Sequence, residues 1–362
     1  MLVVSYAEGT IILLVIAPRS KFYFLLFLGI YIHSTLLKTK IDNQKSNTMK
    51  QLTLNNHIIA TIDIGTNSML MLGVDYYKKT THFLFDHYYM PRLGEGLAQS
   101  HCINQKALAR AYKDLQACKK TLDGYQRPYH IFITASSAIR EAENQKDIVA
   151  TLEKIFSPGS IEIISGQEEA RLSYLSLKDC YSIDSKNILF DIGGGSTEIA
   201  FGKNDTLIES QSIKFGTVKL LDMYFKPKHS FDKLDQAREY ILQQLSNCSI
   251  LPPKNTQFFG TAGSFTQCAS MLLQLETYQA DKIDGFKLSK KNITDKISQL
   301  SNLSIKQIKN LAGIDPKRAD VILPGLIIIE CLMQFFKTDS IKVYDRGIRF
   351  GKLFDVIYRY SG

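Results

Sequence analysis

The sequence predicts an α/β protein built from two domains, and three observations predict it. At 362 residues, 45% hydrophobic and 22% charged, the chain exceeds what one ordinary core organises and suits two. Short β-branched runs at 58–62, 131–133, 161–164 and 188–190 are separated by glycine- or hydroxyl-bearing turns and by helix-forming stretches, the pattern of alternating strands and helices. The third is an internal repeat: an apolar run leading into Asp-Ile-Gly occurs at Asp63-Ile64-Gly65 and again at Asp191-Ile192-Gly193.

Residues 1–48 differ from the rest. Two apolar runs, 11–17 and 22–37, are broken by Pro18-Arg19-Ser20-Lys21, and the second is short of the roughly 20 residues that span a bilayer. Three readings compete: an over-extended start with Met49 as initiator, which we favour, a single membrane anchor over 11–37, and a folded or disordered extension. Membrane contact is expected only if 11–37 is retained as an anchor.

The first repeat copy runs from 58–62 into Asp63-Ile64-Gly65-Thr66-Asn67-Ser68 and then into the apolar stretch 69–74. The second runs from 188–190 into Asp191-Ile192-Gly193-Gly194-Gly195-Ser196-Thr197, then Glu198. Each reads as a hairpin whose tip carries glycine and hydroxyl residues. Glycine permits backbone conformations in which successive N–H groups point into one concavity, a shape that binds phosphate oxygens. Ser68, Ser196 and Thr197 add hydroxyl donors, and the strand-end aspartates Asp63 and Asp191 supply hard oxygens for Mg²⁺. One copy alone is equally a plain hairpin turn; two with the same order of residue types favour a shared ligand role.

Between the copies, 131–140 gives a strand, a small polar turn and Arg140, which reads either as a phosphate contact or as one end of a surface ion pair with Glu141 or Glu143. Residues 161–172 give a strand, Ser165-Gly166 and a helix bearing Glu168 and Glu169. Successive helical residues diverge by about 100°, so only one of the two glutamates can face a cleft. A carboxylate beside phosphate could accept a proton from water; both could also merely complement the helix N-terminus. A glycine turn at 260–264 and a weaker one at 345–351 suit loops lining the same cleft. The lysine-rich segment 282–317 reads as amphipathic helices with Leu288, Ile293, Ile297, Leu300 and Leu303 partly buried; its basic face either holds a polyanion or is simply solvated.

The net charge of +9 favours anionic ligands. Six cysteines without C-x-x-C or metal spacing read as reduced core thiols and a cytoplasmic setting. Zinc chemistry is unsupported, and neither the G-x-x-x-x-G-K-[ST] loop nor a dinucleotide fingerprint is present. No nucleic-acid partner is expected.

Taken together, D-I-G-T-N-S, T-A-S-S-A-I-R, I-I-S-G-Q-E-E-A-R-L, F-D-I-G-G-G-S-T-E, F-G-T-A-G-S and R-A-D-V-I-L-P-G, in that order, resemble the exopolyphosphatase / guanosine pentaphosphate phosphohydrolase family of the sugar kinase–Hsp70–actin superfamily. The resemblance implies two ribonuclease H-like (actin-like ATPase) domains with the active site in the cleft between them. These would span 57–172, regaining a C-terminal helix at 346–360, and 173–345. It implies Glu169 as catalytic base, Asp191 and Glu198 toward Mg²⁺ with Asp63 beside them, and phosphate contacts from Gly65, Thr66, Asn67, Ser68, Arg140, Gly193, Gly194, Gly195, Ser196 and Thr197. The implied reaction is release of terminal orthophosphate from polyphosphate or guanosine pentaphosphate. A non-hydrolytic sensor of guanosine tetra- or pentaphosphate and an ATP-dependent phosphotransferase are the alternatives. Family members commonly form homodimers. Two departures stand out: Arg349-Phe350-Gly351 replaces the family's R-E-G, and the sequence stops at Gly362, directly after that motif, where longer relatives continue into a helical domain.

Overall fold

The computed structural model describes residues 2–7, 10–15, 54–226 and 233–360. The chain divides into two compact units, 1–52 and 53–362. In the first, β1 (Leu2–Ala7) and β2 (Thr10–Val15) pair antiparallel. The apolar run 22–37 and Met49 lie outside the described residues. No helix among the described residues is long and apolar enough to cross a membrane.

The second unit contains a five-stranded and a six-stranded sheet. The first sheet is formed by β3 (His57–Ile64), β4 (Met69–Tyr77), β5 (Thr80–Tyr89), β6 (Tyr129–Ala135) and β7 (Ile161–Ile163), in the order β5-β4-β3-β6-β7. The second comprises β8 (Lys186–Ile192), β9 (Thr197–Lys203), β10 (Thr206–Ile213), β11 (Thr256–Thr261), β12 (Phe286–Ser289) and β13 (Ser340–Val343), ordered β10-β9-β8-β11-β13-β12. Without the edge strand β12, the two sheets share one plan. Three antiparallel strands in sequence are followed by two more that run parallel to the first of them. This is the ribonuclease H-like arrangement, present twice.

Both opening strands are central and covered on both faces, which is why their sequences are nearly continuous apolar runs rather than alternating ones. Ile58, Ile59, Ala60 and Ile62 on β3, and Ile188 and Phe190 on β8, are fully buried. Each of these isoleucine and phenylalanine side chains contributes about 1.5–3 kcal/mol by leaving water.

Five helices position the site: α1 (Gln105–Gly124), α2 (Gly166–Leu175), α3 (Ala262–Leu272), α4 (Ile322–Phe335) and α5 (Ile348–Tyr360). α2 follows β7 of the first sheet yet packs against β8, β9 and β10 of the second, whereas α5 follows β13 of the second and lies on β3 and β4. α2 and α5 also cross each other, at a contact that demands glycine: a Cβ on Gly351 would stand 1.8 Å from the Leu172 carbonyl oxygen. Thr61, inside β3, donates its hydroxyl to the Arg349 carbonyl at 2.8 Å and so ties α5 to the first sheet. Leu288, Ile293, Ile297 and Leu300 are buried and Leu303 packs against the same core.

Candidate active site

Each Asp-Ile-Gly segment ends its strand in a tip closed by one hydrogen bond, Gly65 N–H to Ser68 O at 2.9 Å and Gly193 N–H to Ser196 O at 3.0 Å. The tips' carbonyls are spent on neighbouring loops. Thr66 O accepts from Gly94 N–H and Asn67 O from Arg92 N–H, while Gly193 O accepts from Thr217 N–H and Gly194 O from Val218 and Lys219 N–H. The amides of Thr66, Asn67, Gly194 and Gly195 make no hydrogen bond among the described residues, so they remain as open donors.

The two tips meet. A Cβ on Gly194 would stand 2.9 Å from Thr66 Cβ, and one on Gly195 would stand 2.4 Å from Ser137 Oγ. Beside this meeting point lies a cavity of about 940 Å³ whose walls include Asp63, Gly65, Thr66, Asn67, Ser68, Glu169, Asp191, Gly193, Gly194, Gly195 and Ser196. The structure therefore gathers eleven of the fourteen residues singled out in the sequence around one space.

Glu169 enters from the start of α2. Ser165 caps the helix by accepting Glu168 N–H at 3.1 Å, and the Glu168 carboxylate turns aside to Arg171 at 2.7 and 2.8 Å. Glu169, one step further round the helix, is buried and accepts from Arg140 Nη1 at 3.1 Å. That same Arg140 nitrogen donates to the Ile164 carbonyl at 2.8 Å. Burial, partly offset by Arg140 and reinforced by the Asp191 charge, pushes the Glu169 carboxyl up to about 7.

Asp191 and Glu198 are direct cross-strand partners in the β8–β9 hairpin, an unfavourable pairing for two like charges. Ser173, one helical turn beyond Glu169, donates to Asp191 Oδ2 at 2.5 Å, and Ser212 donates to Glu198 Oε1 at 2.7 Å. Burial raises both carboxyls, and the charges of Glu169 and Asp191 push Glu198 higher still. Asp63 is raised by burial and then by Glu169 and Asp191, against the pull of Arg349. Asp63 Oδ1 and Glu198 Oε2 are buried without a hydrogen-bond partner.

Three singled-out residues do not line the cavity. Arg140 stands behind Glu169, Glu198 behind Asp191, and the Thr197 hydroxyl donates to Phe215 O at 2.8 Å within its own lobe. Both later glycine turns reach the wall, through Ala262, Gly263 and Ser264 and through the segment 345–349. Sequence reasoning missed Ser136, Ser137, Tyr278 and Arg318, which also line it. The sequence-level signal for the two serines was the small polar turn before Arg140. Phe350 lies outside the cavity wall; its ring stands 5.9 Å from that of Phe83, with the Arg349 guanidinium 4.8 Å above it. Arg349 is buried and held by Asp86 and Asp345.

Two α/β lobes of one plan, with cross-packed helices and a cleft between hairpin tips, define a two-lobed fold of the actin-like ATPase class. A profile of the Ppx/GppA phosphatase family matches residues 76–359, and the chain belongs to that family. It is 28% identical over 316 residues to a bifunctional 3-dehydroquinate synthase/phosphatase of Fusobacterium nucleatum, a match that takes in 83% of this chain and 47% of that protein. The chain thus spans about half the length of that relative. It is 24% identical over 302 residues to a putative exopolyphosphatase of Haemophilus influenzae, covering 82% of this chain and 91% of the other. The crystal structure of an exopolyphosphatase from Cytophaga hutchinsonii shares the fold with a TM-score of 0.74 at 23% identity, over 84% of this chain and 98% of that one.

Proposed function

We propose that this chain is a phosphohydrolase that releases the terminal orthophosphate of inorganic polyphosphate or of guanosine pentaphosphate, with Glu169 as general base. The observation that carries this reading is the place of Glu169. It is a buried carboxylate on the wall of the cavity that both donor-bearing tips line, raised to about 7 by burial, where a base works best at neutral pH. Family membership and the similarity to the Haemophilus exopolyphosphatase relative support the same class of substrate.

In this mechanism the open amides of Thr66, Asn67, Gly194 and Gly195 hold the oxygens of the terminal phosphoryl group. Water attacks its phosphorus in line with the anhydride oxygen. The new P–O bond forms from water, the anhydride P–O bond breaks, the water proton passes to Glu169 and the shortened polyphosphate leaves as its anion. Arg140 donates to Glu169 Oε2, and Ser136 also hydrogen-bonds the carboxylate, so both hold the base in place. Arg140 thus acts on the base as well as on local charge.

The carboxylates fit a magnesium ion. Among the described residues no three His, Cys, Asp or Glu side chains stand close enough to hold a cation unaided. Mg²⁺ does not require such a cage: it keeps several waters and takes substrate phosphates together with one or two carboxylates. Asp63 Oδ1 and Glu198 Oε2 are buried without a partner, and burial raises Asp63, Asp191 and Glu198, with neighbouring carboxylates adding to it at Asp63 and Glu198; a cation would relieve this. When bound, Mg²⁺ offsets the charge of the phosphates.

A phosphate-release panel tests the reading. Purified protein with Mg²⁺ is incubated with polyphosphates of graded length, guanosine pentaphosphate, or ATP. Release from polyphosphate or guanosine pentaphosphate with little from ATP is expected; binding of either without turnover would contradict it.

A further inference from the structure

We propose that a second, basic cavity next to the cleft holds the distal phosphates of the polyanion whose terminal phosphate the cleft receives. This rests on the phosphohydrolase reading above and adds a site to it. The cavity, of about 680 Å³, is walled by β5 and the turn after it, by α1 and by the segment 305–320. Tyr88, Lys309 and Pro316 belong to its wall and to that of the cleft, so the two spaces abut.

Five cations line it, Arg92, Arg110, Lys113, Lys309 and Lys317, against three carboxylates, Glu95, Asp114 and Asp320. Two of the acids are already taken. Asp320 holds Arg92 at 2.7 Å, and Glu95 holds Arg110 at 2.7 Å. Lys113, Lys309 and Lys317 make no ion pair among the described residues. The remaining acid, Asp114, is raised by burial in spite of Lys317, Lys113 and Arg110. Three exposed ammonium groups converging from two lobes on a groove carry an electrostatic footprint for a multiply charged anion. The geometry also resolves the lysine-rich segment 282–317. Of its lysines only Lys309 and Lys317 face this groove, joined by Lys113 of α1, while Lys282, Lys287, Lys290, Lys291, Lys296 and Lys306 are not in its wall.

A distal phosphate can belong to a longer inorganic chain or to the second pyrophosphoryl arm of a guanosine pentaphosphate, and the test separates these. Lys113→Glu/Lys317→Glu is compared with the parent for phosphate release from tripolyphosphate, long-chain polyphosphate and guanosine pentaphosphate at two salt concentrations. Both lysines are exposed, and circular dichroism checks that the variant folds. We expect KM for long-chain polyphosphate to rise at least about tenfold relative to that for tripolyphosphate, with a shallower salt dependence. A rise confined to guanosine pentaphosphate supports the same site with the other occupant. Equal change, or none, across all three substrates overturns the second site. A parent that releases phosphate from none of them contradicts the phosphohydrolase reading instead.

Discussion

In both lobes an apolar strand runs through Asp-Ile-Gly into a tip closed by the same hydrogen bond, 2.9 Å long in the first and 3.0 Å in the second. What stands across the hairpin differs. Opposite Asp63 is Leu70; opposite Asp191 is Glu198. The first tip carries side chains at Thr66 and Asn67, whereas the second is bare glycine where Thr66 and Ser137 press against it. The repeated backbone therefore supplies two sets of open amide donors, while only the second hairpin concentrates negative charge. Glu169, from α2, lines the same cavity as both tips. One fold element, used twice, gives one tip without and one tip with a pair of facing carboxylates.

The comparison can be broken in graded steps. Removing the group between the tips should cost most: Glu169→Gln is expected to lower kcat for phosphate release at least about a hundredfold. The same variant should be the more heat-stable protein above neutral pH. A buried carboxyl raised from 4.5 to about 7 leaves its stabilisation intact below about 4.5 and loses it as pH rises through about 7. Differential scanning calorimetry at pH 5 and pH 8 reads this as a Tm gain of several degrees at the higher pH only.

Next comes the bare tip. Gly194→Ala places a Cβ against Thr66 and should cost roughly 1–3 kcal/mol as overpacking, with activity reduced about tenfold. Thr66→Gly in the same chain should return part of both losses, and a double-mutant cycle measures the coupling. If the tips were not in contact, the two changes would simply add.

The charge asymmetry gives a third step. Glu198→Gln should raise Tm in metal-free buffer at alkaline pH, because it removes a carboxyl raised by burial and by the charges of Glu169 and Asp191, and should weaken Mg²⁺ binding severalfold by calorimetric titration. Leu70, the equivalent position in the first hairpin, tolerates Leu70→Met with little change in either quantity. Among the changes that should register, Ser173→Ala is the smallest: it removes one hydroxyl from Asp191 at a cost of about 1.5 kcal/mol and shifts the Mg²⁺ dependence more than the substrate KM.

How far the site could be read from sequence follows from where each contact lies. Strand, turn and strand are adjacent in the chain, so both hairpins and their donor tips were legible, as was the two-lobed α/β class. The choice of Glu169 over Glu168 was not settled by helix geometry alone; it depends on Arg171 claiming Glu168 and on Arg140, 29 positions away, claiming Glu169. Arg140 read as a phosphate contact or a local ion pair because nothing nearby in sequence points to that partner. Thr197 looks like one more donor until its hydroxyl meets Phe215. Ser173 and Ser212 are ordinary helix and strand residues until the fold sets them on Asp191 and Glu198. The unpaired lysines of the side cavity come from both lobes: the lysine-rich segment 282–317 marks Lys309 and Lys317, but no local pattern marks Lys113.

The pH dependence of kcat for phosphate release, measured side by side for the parent and Glu169→Gln at saturating Mg²⁺, tests the central claim most directly. The account predicts a parent whose rate climbs with pH through an apparent pKa near 7 and then levels, beside a variant with a low rate and no such climb. A variant that keeps the parent's rate and the parent's profile would show that the proton goes elsewhere.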